Sequence, residues 1–198
     1  MSKTVDFYFD VGSPAAYIAW TQMPGLSQQT GGSIDYKPFL LGGVFQATGN
    51  HSPAMVPAKG KYMMQDLRRF AARYAVPFHN NPHFPINTLT LMRMASGMQE
   101  REPQKFIPFV DAAFKAIWVE KQNMNDPATA GSVLQAAGFD PAQLMALASD
   151  QAVKDRLKAT TQEAVERGVF GAPTFFVDGV MHWGQDRLDF VREALHAK

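Results

Sequence analysis

Val5, Phe7 and Phe9 alternate with Asp6, Tyr8 and Asp10, a period-two pattern that predicts a buried β-strand at the start of the chain. Gly12-Ser13-Pro14 interrupts it. Apolar positions at Tyr17, Ile18, Trp20 and Leu26 then predict a helix from Ala15 to about Gln29. Pro24 and Gly25 argue against a regular helix, because proline removes a backbone donor and crowds the preceding turn. Gly31-Gly32 ends it, and Ser33 to Phe39 alternates as a second strand. Strand, helix, strand is the beginning of a parallel sheet, since parallel neighbours need a crossover.

The pattern then changes. From Leu40 to about Pro85, clusters of Gly, Pro and Asn surround one clear helix, Lys61 to Tyr74, with Met63, Leu67, Phe70 and Tyr74 on one face. Further helices are predicted over 87–99, along the Phe106, Val110, Phe114, Ile117 repeat, and over 128–137, 141–149 and 152–167. Pro141 suits a first helical turn, with Asp140 as its cap. Strands return after Gly168, where residues 173–177 and 180–183 flank Asp178-Gly179, a strong hairpin signal. Residues 186–195 close the chain as an amphipathic helix that Asp186 is placed to cap, with Asp189 completing a weak capping box. The order βαβ, helices, ββα is that of an α/β thioredoxin-like fold with a large all-helical insertion. The expected division is 1–42 and 168–198 for the thioredoxin-like part and 43–167 for the insertion.

Composition narrows the chemistry. The 198 residues include no cysteine, which excludes disulfides, thiolate metal sites, thiol nucleophiles and dithiol redox motifs. Nineteen Lys and Arg face 18 Asp and Glu, a net charge of +1 that gives no pull toward nucleic acid or an anionic membrane. No apolar run reaches the roughly 18 residues of a membrane span, and Met1-Ser-Lys-Thr leads straight into the first strand without a secretory apolar stretch. A cytoplasmic protein is expected.

Ser13 stands where the first strand feeds the first helix. It is well placed to cap that helix, and a hydroxyl there can also donate to an anion held by the helix N-terminus. The two roles are compatible, and in a chain without thiols a thiolate would have to come from a bound cofactor. Ala172-Pro173 precedes the third strand; a cis bond there would turn the Ala172 backbone outward toward a peptide-like ligand, while a proline opening a strand is the plainer account. Ser13, His182 and Asp186 could form a hydrolase triad, but no G-x-S-x-G elbow surrounds the serine. His79 and His83 are separated by a Pro-containing loop, which does not suit a metal pair.

Four stretches carry a resemblance: Val5 to Pro14 (VDFYFDVGSP), Gly49 to Tyr62 (GNHSPAMVPAKGKY), Val169 to Val177 (VFGAPTFFV) and Trp183 to Leu188 (WGQDRL). In this order, across nearly the whole chain, they resemble the 2-hydroxychromene-2-carboxylate isomerases and the kappa-class glutathione transferases, which share the DsbA-like fold. The resemblance implies a glutathione-dependent enzyme with Ser13 beside the glutathione sulfur. It implies Asn50, Lys59, Ala172, Pro173, Gln185 and Asp186 as glutathione-binding, with Ala172 pairing the cysteinyl part and Gln185 and Asp186 holding the γ-glutamyl end. Phe84 and Asn87 are implied as substrate-lining. Ala15 and Ala16 depart from the aromatic residue and second serine that many relatives place after Ser-Pro. Implied with the family are a small aromatic or electrophilic substrate, a role in aromatic catabolism and a homodimer.

Overall fold

The computed structural model describes residues 3–196. Met1 and Ser2, at which the expectation of no secretory stretch begins, lie outside the described residues, as do the last two of the 168–198 segment. The sheet has the order β2-β1-β3-β4. Strand β1 (Thr4–Phe9) runs parallel to β2 (Ser33–Pro38) and antiparallel to β3 (Thr174–Val177), which pairs antiparallel with β4 (Val180–Trp183). Asp178 and Gly179 both take positive φ, 50° and 80°, in the two-residue turn that joins the last two strands.

The alternation in β1 decides the two layers. Phe7 and Phe9 point to the face covered by α1 (Pro14–Thr30) and α9 (Leu188–His196), where Phe7 stacks on Phe175 at 4.9 Å and Phe9 meets Trp20 at 5.1 Å. Tyr8 points to the other face. There it packs with Phe39, Val44 and Phe176 under α2 (Leu41–Thr48) and α8 (Gln151–Glu166). Arg167 lies 3.8 Å above the Phe176 ring and donates to Asp6 Oδ2 and the Tyr8 hydroxyl. Burial and the Glu163 contact push the Tyr8 phenol well above its ordinary range.

Between β2 and β3 come α3 (Pro57–Arg73), α4 (Leu89–Arg101), α5 (Pro103–Trp118), α6 (Pro127–Ala136) and α7 (Pro141–Ser149), followed by α8. Asp140 caps α7 as expected, accepting from the Ala142 N–H at 2.9 Å. Three expectations need correction. Helix α1 runs unbroken through Pro24 and Gly25 to the left-handed Gly31. Helix α2 was hidden behind Gly42-Gly43, and its first turn is held by a side chain 31 positions away, Asp10, rather than by a local cap. Asp186 does not cap the last helix: it sits inside a 3-10 turn, Gln185–Arg187, that begins after Gly184 at φ 104°. Its carboxylate pairs with Arg187 at 2.6 Å, and Asp189 pairs with Arg192 instead of completing a capping box.

Candidate active site

The loop from β1 to α1 is built by Asp10, which is 1% exposed. Its Oδ1 accepts from the Gly12 N–H and its Oδ2 from the Leu41 N–H, both at 2.9 Å, while its carbonyl accepts from the Ser13 N–H. Burial pushes the Asp10 pKa up, and the bonds from Gly12, Leu41 and Thr88 pull against that rise without cancelling it. The helical block holds Val11 from both sides. Its N–H donates to Met92 Sδ at 3.4 Å, and its carbonyl accepts from Trp118 Nε1 at 2.9 Å. Gly12 must be small, because a Cβ there would stand 2.9 Å from Thr88 Cγ2.

Ser13 caps α1 in extended conformation, φ −91° and ψ 117°, with its Oγ accepting from the Ala16 N–H at 3.1 Å. The same oxygen donates to the Ala172 carbonyl at 3.0 Å, and the residue is 4% exposed. The Ala172–Pro173 bond is cis. The Ala172 carbonyl, expected to face outward, is thus already engaged by the serine. Asn50 ties two loops together: its Nδ2 donates to the Phe170 carbonyl at 2.8 Å and its Oδ1 accepts from the His51 N–H at 2.8 Å. Trp183 lies against Phe170 at 5.0 Å and over Gly171, where a Cβ would come within 2.6 Å of its Nε1. Glycine lets the indole cover that backbone.

These groups surround one cavity of about 1000 Å³, at the large end of small-molecule sites. Ser13, Ala172, Gln185 and Asp186 line it, joined by Asn50, Lys59 and Phe84. Phe45, Met55, Val56, Tyr62 and Met63 belong to its apolar lining. Pro173 and Asn87 are not part of the lining. Pro173 is buried, and Asn87 does turn work, accepting from the Leu89 N–H at 3.2 Å while its own N–H donates to Asn125. His182 is also absent from the lining; as the partner of Phe175 it projects to the α1 face, so no triad assembles. Burial lowers the His182 pKa. Among the described residues no three His, Asp or Glu gather as a metal site, and no helix is long and apolar enough to cross a membrane.

Asp10, Phe45, Met55, Tyr62 and Trp183 also build the site, and none of them has a site role assigned from the sequence. Only Asp10 carried a local signal, since aspartate two residues before glycine is the signature of an Asx turn. The arrangement can hold an anion at the α1 N-terminus, where the dipole and a hydroxyl converge, but the chain has no thiol of its own.

The DsbA-like thioredoxin domain family matches residues 4–196 of the chain. The 2-hydroxychromene-2-carboxylate isomerase of Sphingobium xenophagum is 35% identical over 98% of this chain and 99% of its own. Glutathione S-transferase kappa 1 of Caenorhabditis elegans is 31% identical over 96% of this chain and 90% of its own. The solved structure of selenomethionine 2-hydroxychromene-2-carboxylate isomerase superposes with a TM-score of 0.81 at 32% identity, covering 97% of this chain and 94% of that one.

Proposed function

The chain belongs to the family of DsbA-like thioredoxin domains, in the company of 2-hydroxychromene-2-carboxylate isomerases and kappa-class glutathione transferases, and on that premise we propose that it is a glutathione-dependent isomerase of an aromatic keto-acid. The observation that carries this is the buried Ser13 hydroxyl at the mouth of α1, opening on a cavity in a chain that has no thiol. The donor set fits a tripeptide thiol: a carboxylate at Asp186 for an ammonium group, the Lys59 ammonium for a carboxylate, and amides at Asn50 and Gln185. When bound, glutathione would supply the thiolate that the chain lacks, a nucleophile able to add reversibly to a conjugated carbon so that the adjoining bond can rotate from cis to trans.

The chain's residues do the rest. Ser13 holds the sulfur as an anion, aided by the N-terminal end of α1. Ala172, ahead of Pro173, presents its backbone to the cysteinyl part, and Gln185 and Asp186 hold the γ-glutamyl end. Phe84 and the apolar lining exclude water around the second substrate. The segments 1–42 and 168–198 serve as the thiol-binding part and 43–167 as the substrate-facing insertion. The resemblance supports a cytoplasmic homodimer acting in aromatic catabolism.

One observation favours a second reading, a kappa-type transferase or peroxidase acting on small electrophiles. Among the described residues Lys59 is the single Lys or Arg of the cavity lining, so a keto-acid carboxylate competes for it with glutathione, whereas a neutral electrophile needs no cation. The separating experiment adds reduced glutathione and other thiols in a thermal-shift assay, then analyses products from a hydroxychromene carboxylate and from a chloronitroarene. Glutathione should raise the melting temperature by mass action. Silence of every thiol at millimolar concentration rejects the enzyme reading, and binding without turnover of any electrophile leaves a thiol-binding module.

A further inference from the structure

The Ser13 hydroxyl has one proton and two lone pairs. Its proton points to the Ala172 carbonyl at 3.0 Å, and one lone pair takes the Ala16 N–H at 3.1 Å. What remains for the cavity is a lone pair. A sulfur arriving at that oxygen meets an acceptor, which favours the neutral S–H form and works against thiolate formation. To favour the thiolate, the O–H must swing from Ala172 to the sulfur. That swing takes the donor from a part-buried carbonyl, which costs free energy unless another donor reaches it.

We propose that the Ala172 carbonyl is a specificity-determining acceptor: Ser13 is released to a bound sulfur only when the thiol carrier brings an amide N–H to that carbonyl. This rests on the glutathione reading above. The chemical class selected is a thiol with an amide nitrogen two carbons from the sulfur, the arrangement of a cysteinyl peptide. A thiol without that N–H enters the same cavity and meets the serine in its acceptor orientation. Proton bookkeeping is simple, since the thiol proton leaves to water and the serine keeps its own. Asn50 supports the arrangement by fixing the Phe170 carbonyl two residues upstream, so the loop that carries Ala172 does not drift when its partner changes.

The test compares glutathione with its depsipeptide analogue, in which an ester oxygen replaces the cysteinyl amide N–H. Binding is read by calorimetry, and the bound thiol is titrated by its ultraviolet thiolate absorbance. On the unmodified protein, bound glutathione should titrate about one pH unit or more below the bound depsipeptide, at least tenfold in acidity. In Ser13→Ala that gap should close, because no hydroxyl is left to redirect. Equal titration of the two ligands on the unmodified protein, with both bound, overturns the coupling and leaves the glutathione reading standing. Failure of glutathione itself to bind overturns both.

Discussion

Around Ser13 the backbone is held from α2, α4 and α5 through Asp10, Met92 and Trp118, whereas elsewhere in the lining of the same cavity Met55 and Tyr62 stand 72% and 61% exposed. The first wall consists of buried polar groups with assigned partners, a condition in which loss of one group leaves another unsatisfied. The second wall consists of side chains whose removal uncovers little. Under the proposed function the difference separates two tasks: the Ser13 wall has to fix one proton to within a hydrogen-bond length, and the facing wall needs only to offer apolar area of a suitable shape. Chemistry is therefore tied to the fold, and substrate choice is left loosely attached to it.

The sharpest way to break this contrast is Ser13→Ala. Turnover should fall by about a hundredfold, the order seen when one preorganised donor to a developing anion is removed. Stability should fall by about 1 kcal/mol for the lost N-cap and by about 1 kcal/mol more for the bond the Ala172 carbonyl gives up, together less than the roughly 2.7 kcal/mol of the rate loss, so steady-state rates and denaturant melts must disagree in scale. Equal, small losses in both would reduce the residue to a cap.

Asp10→Asn acts one layer behind. Its carboxylate accepts from two backbone N–H groups, and asparagine would turn an amide donor toward one of them, so about 1–3 kcal/mol of stability should be lost in denaturant unfolding. The native carboxyl has its pKa raised above the ordinary 3.8, so it binds protons more tightly folded than unfolded. Its favourable contribution is complete below that ordinary value and is lost as pH rises through the raised one. The stability advantage of the wild type over the variant should hence shrink from acid toward neutral pH; a gap that widens over that range contradicts the assignment.

The smallest effects on the fold belong to the facing wall. Met55→Ala and Tyr62→Ala should each change stability by no more than about 0.5 kcal/mol, as exposed substitutions do. Loss of their contact with an apolar second substrate should raise its KM by roughly five- to thirtyfold, about 1–2 kcal/mol of buried area, with kcat little altered. A stability loss equal to that of Asp10→Asn would erase the distinction between the walls.

What the sequence revealed depended on how locally each feature is encoded. The first strand, the Asp140 cap and the Asp178-Gly179 hairpin are fixed by neighbours within a few positions, and each forms as expected. Helix α2 was invisible because its glycines read as loop and its capping group, Asp10, lies on another element. Asp186 misled because aspartate before an amphipathic run usually caps it, while the positive φ of Gly184 here diverts the chain into a 3-10 turn first. Of the implied site residues, Ser13, Asn50, Lys59, Phe84, Ala172, Gln185 and Asp186 come to one cavity, but Asn87 belongs to a turn. The state of the serine proton could not be read from the chain at all, since its acceptor is 159 positions away.

The grip on Val11 bears on how such a protein can be rebuilt. Its two backbone groups are satisfied by one residue of α4 and one of α5, so the loop that carries Ser13 and that pair of helices form a single heritable unit. A graft that exchanges residues 86–124 for a foreign helical pair would strip the loop of both partners along with whatever specificity it was meant to import. A graft of residues 51–63 that retains Lys59 touches neither bond. New substrate ranges are therefore most accessible through the short segment around Met55 and Tyr62, where variation leaves the inherited chemistry in place.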